Sequence, residues 1–199
     1  MPVTADDLDV SLRTVIGVLR TEVGKNWRTA VGTGIWTARA TAEHLADALI
    51  SYAAQLVVQP ADRYVAMASD SRDGKPTDLL DFVRAGAGIL AATVRTADDD
   101  VRAYHPSGMA DPEGFAGMGC VELLVHGEDI ARGLGLALEP PAEVCERVLA
   151  RMFPDLTAED TGDDPWEGLL WATGRIELPD RERRTSWRWR GAPLEEPAD

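Results

Sequence analysis

Met118–Gly135, MGCVELLVHGEDIARGLG, is the stretch whose reading decides the fold. Leu123, Leu124, Ile130 and Leu134 recur at near-helical spacing, and Gly133 and Gly135 offer a stop. An amphipathic helix is therefore expected here. It carries two side chains able to ligate a metal, Glu122 and His126. Four residues of helix turn about 400° and rise about 6 Å, so the two share a face and could hold one ion from the same side. The chain contains only three histidines, His44, His105 and His126. A metal site built on this helix would draw its third ligand from the other two.

Working outward, Thr4 to Asp7 resembles a helix N-cap with acids in its first turn. Leu8, Leu12, Val15, Ile16 and Leu19 mark one face of a first helix over residues 5–22. A connection follows from Gly24 to Gly34, carrying Trp27. A second helix, residues 38–58, has an apolar face of Leu45, Ala48, Leu49, Tyr52 and Leu56, and His44 lies beside that stripe. Residues 60–75 are mixed, with a turn expected at 71–74. A third helix, residues 78–97, is capped by Thr77 and Asp78 and buries Leu79, Leu80, Val83, Ala87, Leu90 and Val94. Residues 98–115, with DDD, HPSG and DPEG, read as a long loop, a length that is uncommon without a function. Pro140 and Pro141 introduce a shorter helix over 142–152. An acidic loop, 154–164, leads to a last short helix over 165–173. Arg175–Leu178 and Thr185–Arg190 both alternate, which predicts a small C-terminal hairpin. The tail from Gly191 to Asp199 is expected to fray. Four long helices with long middle connections make an all-α four-helix bundle the expected fold, with residues 1–140 as the bundle and 141–199 as a helical and hairpin extension packed on it.

Composition bounds the function. The 199 residues suffice for one domain with a sizeable core. A formal charge of −14 argues against nonspecific binding to nucleic acid or an anionic membrane, both of which need a basic surface. No leader-like start and no apolar run of membrane-spanning length is visible. Cys120 and Cys145 lack CxxC spacing, so a reducing, cytoplasmic setting is expected. Arginine far outnumbers lysine, which occurs only at Lys25 and Lys75, and this bias suggests a GC-rich, actinobacterial genome.

Each candidate has a plainer reading. A histidine beside an apolar stripe is commonly a packed, hydrogen-bonded residue, and Glu-x-x-x-His is a common helical pair. Bundle cores are nonetheless a usual place for carboxylate and imidazole metal sites, and inward-leaning imidazoles need partners. Asp47 and Asp129, each three residues after a histidine, could orient the rings, or be solvated surface carboxylates. His105, in His-Pro-Ser-Gly, could face the site from its loop or serve only in a turn.

Three features together resemble the DinB-like superfamily, and within it the mycothiol-dependent maleylpyruvate isomerase branch. They are Trp36 followed by His44 in TAEHLADAL, the run GMGCVELLVHGEDIARGLGL, and LLWATGR ahead of WRW. The similarity spans about residues 5–190. It implies a four-helix bundle holding a divalent metal, zinc in the characterised isomerase, through His44, Glu122 and His126. It also implies mycothiol as thiol cosubstrate, and it makes Arg175 of LLWATGR, with His105, a candidate for binding that cosubstrate or an anionic substrate group. Arg175 could equally anchor the tail by an ion pair. The short part after residue 141 differs from the isomerase proper, so maleylpyruvate itself is not implied as the substrate.

The chemistry follows from the donor set. Two imidazoles and one carboxylate leave zinc a net positive charge and an open fourth position. A thiol entering there is favoured as thiolate. A thiolate held so could attack an electrophilic small molecule, giving cis–trans isomerisation by addition and release, or S-transfer by loss of a leaving group. Water at the same position would make a hydrolase, and two histidines with one carboxylate can also hold iron(II). The leading expectation is a metal-dependent, mycothiol-using transferase or isomerase. The rival is a non-enzymatic metal-binding or homodimerising bundle.

Overall fold

Thr4 starts the first helix as expected, in a capping box with Asp7: the Thr4 N–H donates to Asp7 Oδ2 at 2.9 Å. The computed structural model describes residues 1–65 and 74–196. Helix α1 (Ala5–Leu19) runs on into a 3-10 turn, Arg20–Glu22. Helix α2 (Ala38–Val58) is capped by Thr37, whose hydroxyl accepts the Ala40 N–H at 3.2 Å, and it ends at Gln59 in the left-handed region. Helix α3 spans Pro76–Thr96, with proline at the first position, where its missing N–H costs nothing. Most of the turn expected at 71–74 lies outside the described residues.

The next helix begins inside the stretch read as loop. Asp111 accepts the Gly114 N–H at 2.7 Å and caps α4 (Pro112–Val121). It continues through a wider π turn, Glu122–His126, into α5 (Gly127–Gly133). The segments α1, α2, α3 and α4–π–α5 pack together as a four-helix bundle. The expectation of a regular amphipathic helix is corrected here. Every residue from Gly114 to Val125 is buried, so this is the central helix of the bundle, enclosed on all sides, with Glu122 as its one charged residue in that stretch. Its glycines permit that. A Cβ at Gly119 would come within 2.7 Å of Leu90 and 2.8 Å of Leu8, and one at Gly127 within 2.7 Å of Val15.

The remainder packs on this bundle. Helix α6 (Ala142–Met152) lies against α4 and against α8 (Pro165–Ala172), and a short α7 (Ala158–Thr161) occupies the acidic stretch between them. Val144, Val148, Met152, Phe153 and Leu169 belong to the same buried cluster as the bundle core. The expected C-terminal hairpin does not form. Its two alternating segments do not pair, and the only bridge there among the described residues joins Leu178 to Arg181. The tail is an extended strap that does not fray through residue 196. Arg190 N–H donates to Met152 O at 2.8 Å, Gly191 N–H donates to Ser107 O at 2.9 Å, and Trp187 and Trp189 lean on the core. Among the described residues no helix is long and apolar enough to cross a membrane.

Candidate metal centre

His44 from the first half of α2 meets Glu122 and His126 from the π turn. Three donor atoms, one from each, lie within 4.8 Å of one another. The Nε2 atoms of His44 and His126 stand 3.4 and 3.2 Å from the same oxygen, Glu122 Oε2. That oxygen is buried and has no hydrogen-bond partner among the described residues. A buried carboxylate oxygen left so is costly. Two donors each about 2.0–2.1 Å from a tetrahedral ion sit about 3.3 Å apart, the spacing seen from Oε2 to each ring. The residues therefore fit a divalent cation, with two nitrogen donors and one oxygen donor.

The surroundings fix each ligand. His126 Nδ1 is 3.1 Å from Asp129 Oδ2. A carboxylate can only accept, so Nδ1 carries a hydrogen toward Asp129, and a ring that gives up its other proton to bind a cation presents the Nε2 lone pair on the Glu122 side. Asp129 is in turn tied to Arg175, whose Nη2 donates to the same oxygen at 3.0 Å. Glu122 Oε1 accepts the Tyr52 hydroxyl at 3.0 Å. Trp36 covers the rings from the solvent side, edge-on to His44 at 5.0 Å and stacked on His126 at 6.3 Å. The His44 side chain is 40% exposed, so the centre opens to solvent on its side.

Electrostatics agree with the geometry. Burial pushes the Glu122 carboxyl up, but the His126 and His44 rings outweigh it and hold it well below the usual carboxylate range. Burial pulls the His126 imidazole down, but Asp129 and Glu122 outweigh it and hold it up to about 9. Burial, and then the Glu122 charge, keep the Tyr52 phenol well above its ordinary value, so it stays a hydrogen-bond donor.

A cavity of about 260 Å³ opens beside His126, walled by residues 32–36, Thr41, Asp129 and Arg175. The loop is seated by backbone contact: a Cβ at Gly32 would overlap Asp129 O. Ile35 is 91% exposed at its rim. Arg175 makes the ion pair considered for it, with Asp129. It lines the cavity, and it braces the C-terminal region through Asp129, Thr173 O at 2.7 Å and the Trp187 ring at 5.9 Å.

His105 is brought elsewhere. It sits behind Tyr52, ring centroids 6.0 Å apart, outside the ligand triple and off the cavity wall. Its Nδ1 accepts the Ser107 N–H at 3.0 Å, and a turn closes from Gly108 N–H to its carbonyl. Burial pulls its imidazole down to about 4. Sequence reasoning named Asp129 among its alternatives but took Tyr52 only for core. The one signal for Tyr52 was its place two turns after His44 on the same helix.

Fold and site together define a class: a helical-bundle protein with a two-histidine, one-carboxylate candidate metal centre in its core. Residues 9–131 match the family model described as mycothiol maleylpyruvate isomerase N-terminal domain. The chain belongs to that family. No curated protein and no solved structure matches it.

Proposed function

We propose that the protein is a metal-dependent, mycothiol-using S-transferase or isomerase acting on an electrophilic small molecule. The observation that carries this reading is the buried, unpartnered Glu122 Oε2 between two imidazole nitrogens, beside an open cavity. His44, Glu122 and His126 would hold the cation. A divalent cation, zinc by family resemblance, supplies a Lewis acid that favours a thiolate over a thiol at neutral pH. The chain's own residues do the rest. Asp129 holds the His126 ring in the tautomer that presents Nε2. Trp36 and Ile35 form an apolar rim that limits water around the reacting thiol. Arg175 offers a guanidinium to an anionic group on the cosubstrate or electrophile.

Metal analysis and a conjugation assay test the reading together. Wild type is expected to carry about one zinc per chain and to accelerate mycothiol addition to a simple electrophile at pH 7. His126→Ala is expected to lose both the metal and the acceleration while keeping its helix content. Equal rates for the two proteins would overturn the catalytic reading. Turnover of an ester without thiol would favour a hydrolase.

A further inference from the structure

We propose that Tyr52 restricts Glu122 to a single ligand oxygen and thereby sets which cations the centre accepts. This rests on the metal reading above and adds a selectivity-determining residue to it. Tyr52 lies on α2 eight positions after His44. Its ring reaches back toward the helix N-terminus, the direction in which long helical side chains lean. The hydroxyl donates to Glu122 Oε1 at 3.0 Å in a buried contact, and the phenol is 5% exposed. The other oxygen, Oε2, has no hydrogen-bond partner among the described residues and faces the Nε2 atoms of both histidines. The two oxygens of one carboxylate are thus given different tasks, one bonded to the protein and one left for an ion.

The consequence is a donor count. A carboxylate can bind a cation through one oxygen or chelate it through both. With Oε1 engaged by Tyr52, and the phenol occupying the space beside it, chelation would require breaking a buried hydrogen bond. The chain then offers two nitrogens and one oxygen, and keeps a position open. That set suits small ions of low coordination number such as zinc. Magnesium, calcium and manganese prefer six or more donors, mostly oxygen. Released from Tyr52, Glu122 could rotate and present both oxygens, raising the chain's donors to four and softening that discrimination. Tyr52 is therefore a positioning residue, acting on the ion only through Glu122.

Cobalt(II) reports the donor count directly, because its visible bands weaken as coordination number rises. Metal-free wild type and Tyr52→Phe are each loaded with cobalt(II), and zinc and manganese(II) affinities are measured by competition. Wild type is expected to give intense low-coordination bands. Tyr52→Phe removes one oxygen and keeps the ring. It is expected to give weaker, shifted bands and a zinc-over-manganese preference reduced about tenfold, the lower end of what loss of a ligand's hydrogen-bond partner costs in metal affinity. Identical spectra and preferences in the two proteins would overturn the inference while leaving the metal reading intact. Weak, high-coordination bands in wild type would also overturn it, and they decide the matter even if Tyr52→Phe does not fold. A wild type that binds neither cobalt nor zinc would overturn the metal reading itself.

Discussion

Two buried polar clusters sit along the central helix, one at its N-terminal cap and one at the π turn midway, and they are built on opposite principles. Around Arg151, whose side chain is 2% exposed, acceptors converge on the guanidinium: Asp111 Oδ1 at 2.7 Å, Gly191 O and Arg190 O at 3.1 Å, and Glu113 at 3.7 Å. These bonds tie the cap of α4, helix α6 and the C-terminal strap into one joint. Around Glu122 the balance is reversed. Carboxylate oxygens and imidazole nitrogens crowd together, and Glu122 Oε2 and Asp129 Oδ1 are buried without a hydrogen-bond partner among the described residues. A satisfied cluster holds structure. A cluster with unsatisfied lone pairs is costly to keep, and its retention points to a ligand.

The comparison breaks if Arg151 proves dispensable. Arg151→Met is expected to cost about 3–5 kcal/mol of stability, because it takes the ion-pair partner from a half-buried Asp111 and orphans two carbonyls. Chemical denaturation of metal-free protein measures this. A loss under about 1 kcal/mol would mean that the joint is not what fastens the strap. Metal affinity in the folded fraction should stay near wild type, since Arg151 touches none of the three ligands.

The second prediction sharpens the other side of the comparison. In the metal-free protein His126 holds its proton up to about pH 9. A nitrogen carrying a proton cannot bind a cation, so metal binding between pH 6 and 9 must release it. Zinc affinity should fall about tenfold for each unit of pH lowered through that window. Stability has the opposite sign in the metal-free state. The folded value lies above the ordinary 6.5. The imidazolium's contribution is therefore complete below about 6.5 and lost as pH rises through about 9. Raising pH from 6.5 to 9 should lower the melting temperature of the metal-free protein, and the loaded protein should lack this dependence. Asp129→Asn removes the foremost of the interactions that raise His126, so it should move the affinity window to lower pH. Calorimetric titration in buffers of different ionisation enthalpy counts the released protons, and finding none at pH 7 would contradict the account.

Much of this was legible in the chain, for reasons visible in particular residues. Helix α2 was read with its observed ends because its apolar stripe is regular and Pro60 follows it. Glu122 and His126 were found because four-residue spacing on a helix is a strong geometric constraint, and the π turn widens the backbone without parting them. The start of α4 was hidden because Asp111-Pro-Glu-Gly reads as a turn, although Asp at the cap and Pro at the first position is also how a helix begins. The hairpin was misread because alternation records which side is buried, not whether a strand has a partner. In Trp187-Arg-Trp-Arg190 the tryptophans lean on the core, while Arg188 and Arg190 donate to Pro106 O and Pro193 O. An extended strap on a helical surface meets the same pattern. Tyr52 was missed because its ring reads as core, and only the fold brings its hydroxyl to Glu122.

His105 gives the smallest expected effect and the finest cut between the two kinds of cluster. As one of three histidines it was a candidate for the site, yet its ring nitrogen Nδ1 accepts the Ser107 N–H. It also packs against Tyr52, Tyr64 and Trp189, with ring centroids at 5.8–6.0 Å. These contacts are ring packing around a turn, and loss of one is expected to cost stability. His105→Asn retains an acceptor of similar reach and gives up part of the ring packing. It should therefore cost about 0.5–1.5 kcal/mol of stability, comparable to one ordinary hydrogen bond. Zinc affinity should stay within about twofold of wild type, since His105 approaches Glu122 only through Tyr52. Denaturation and metal competition on the same preparation measure both. A tenfold loss of zinc affinity with unchanged stability would move His105 into the metal centre and leave Tyr52 as its linker.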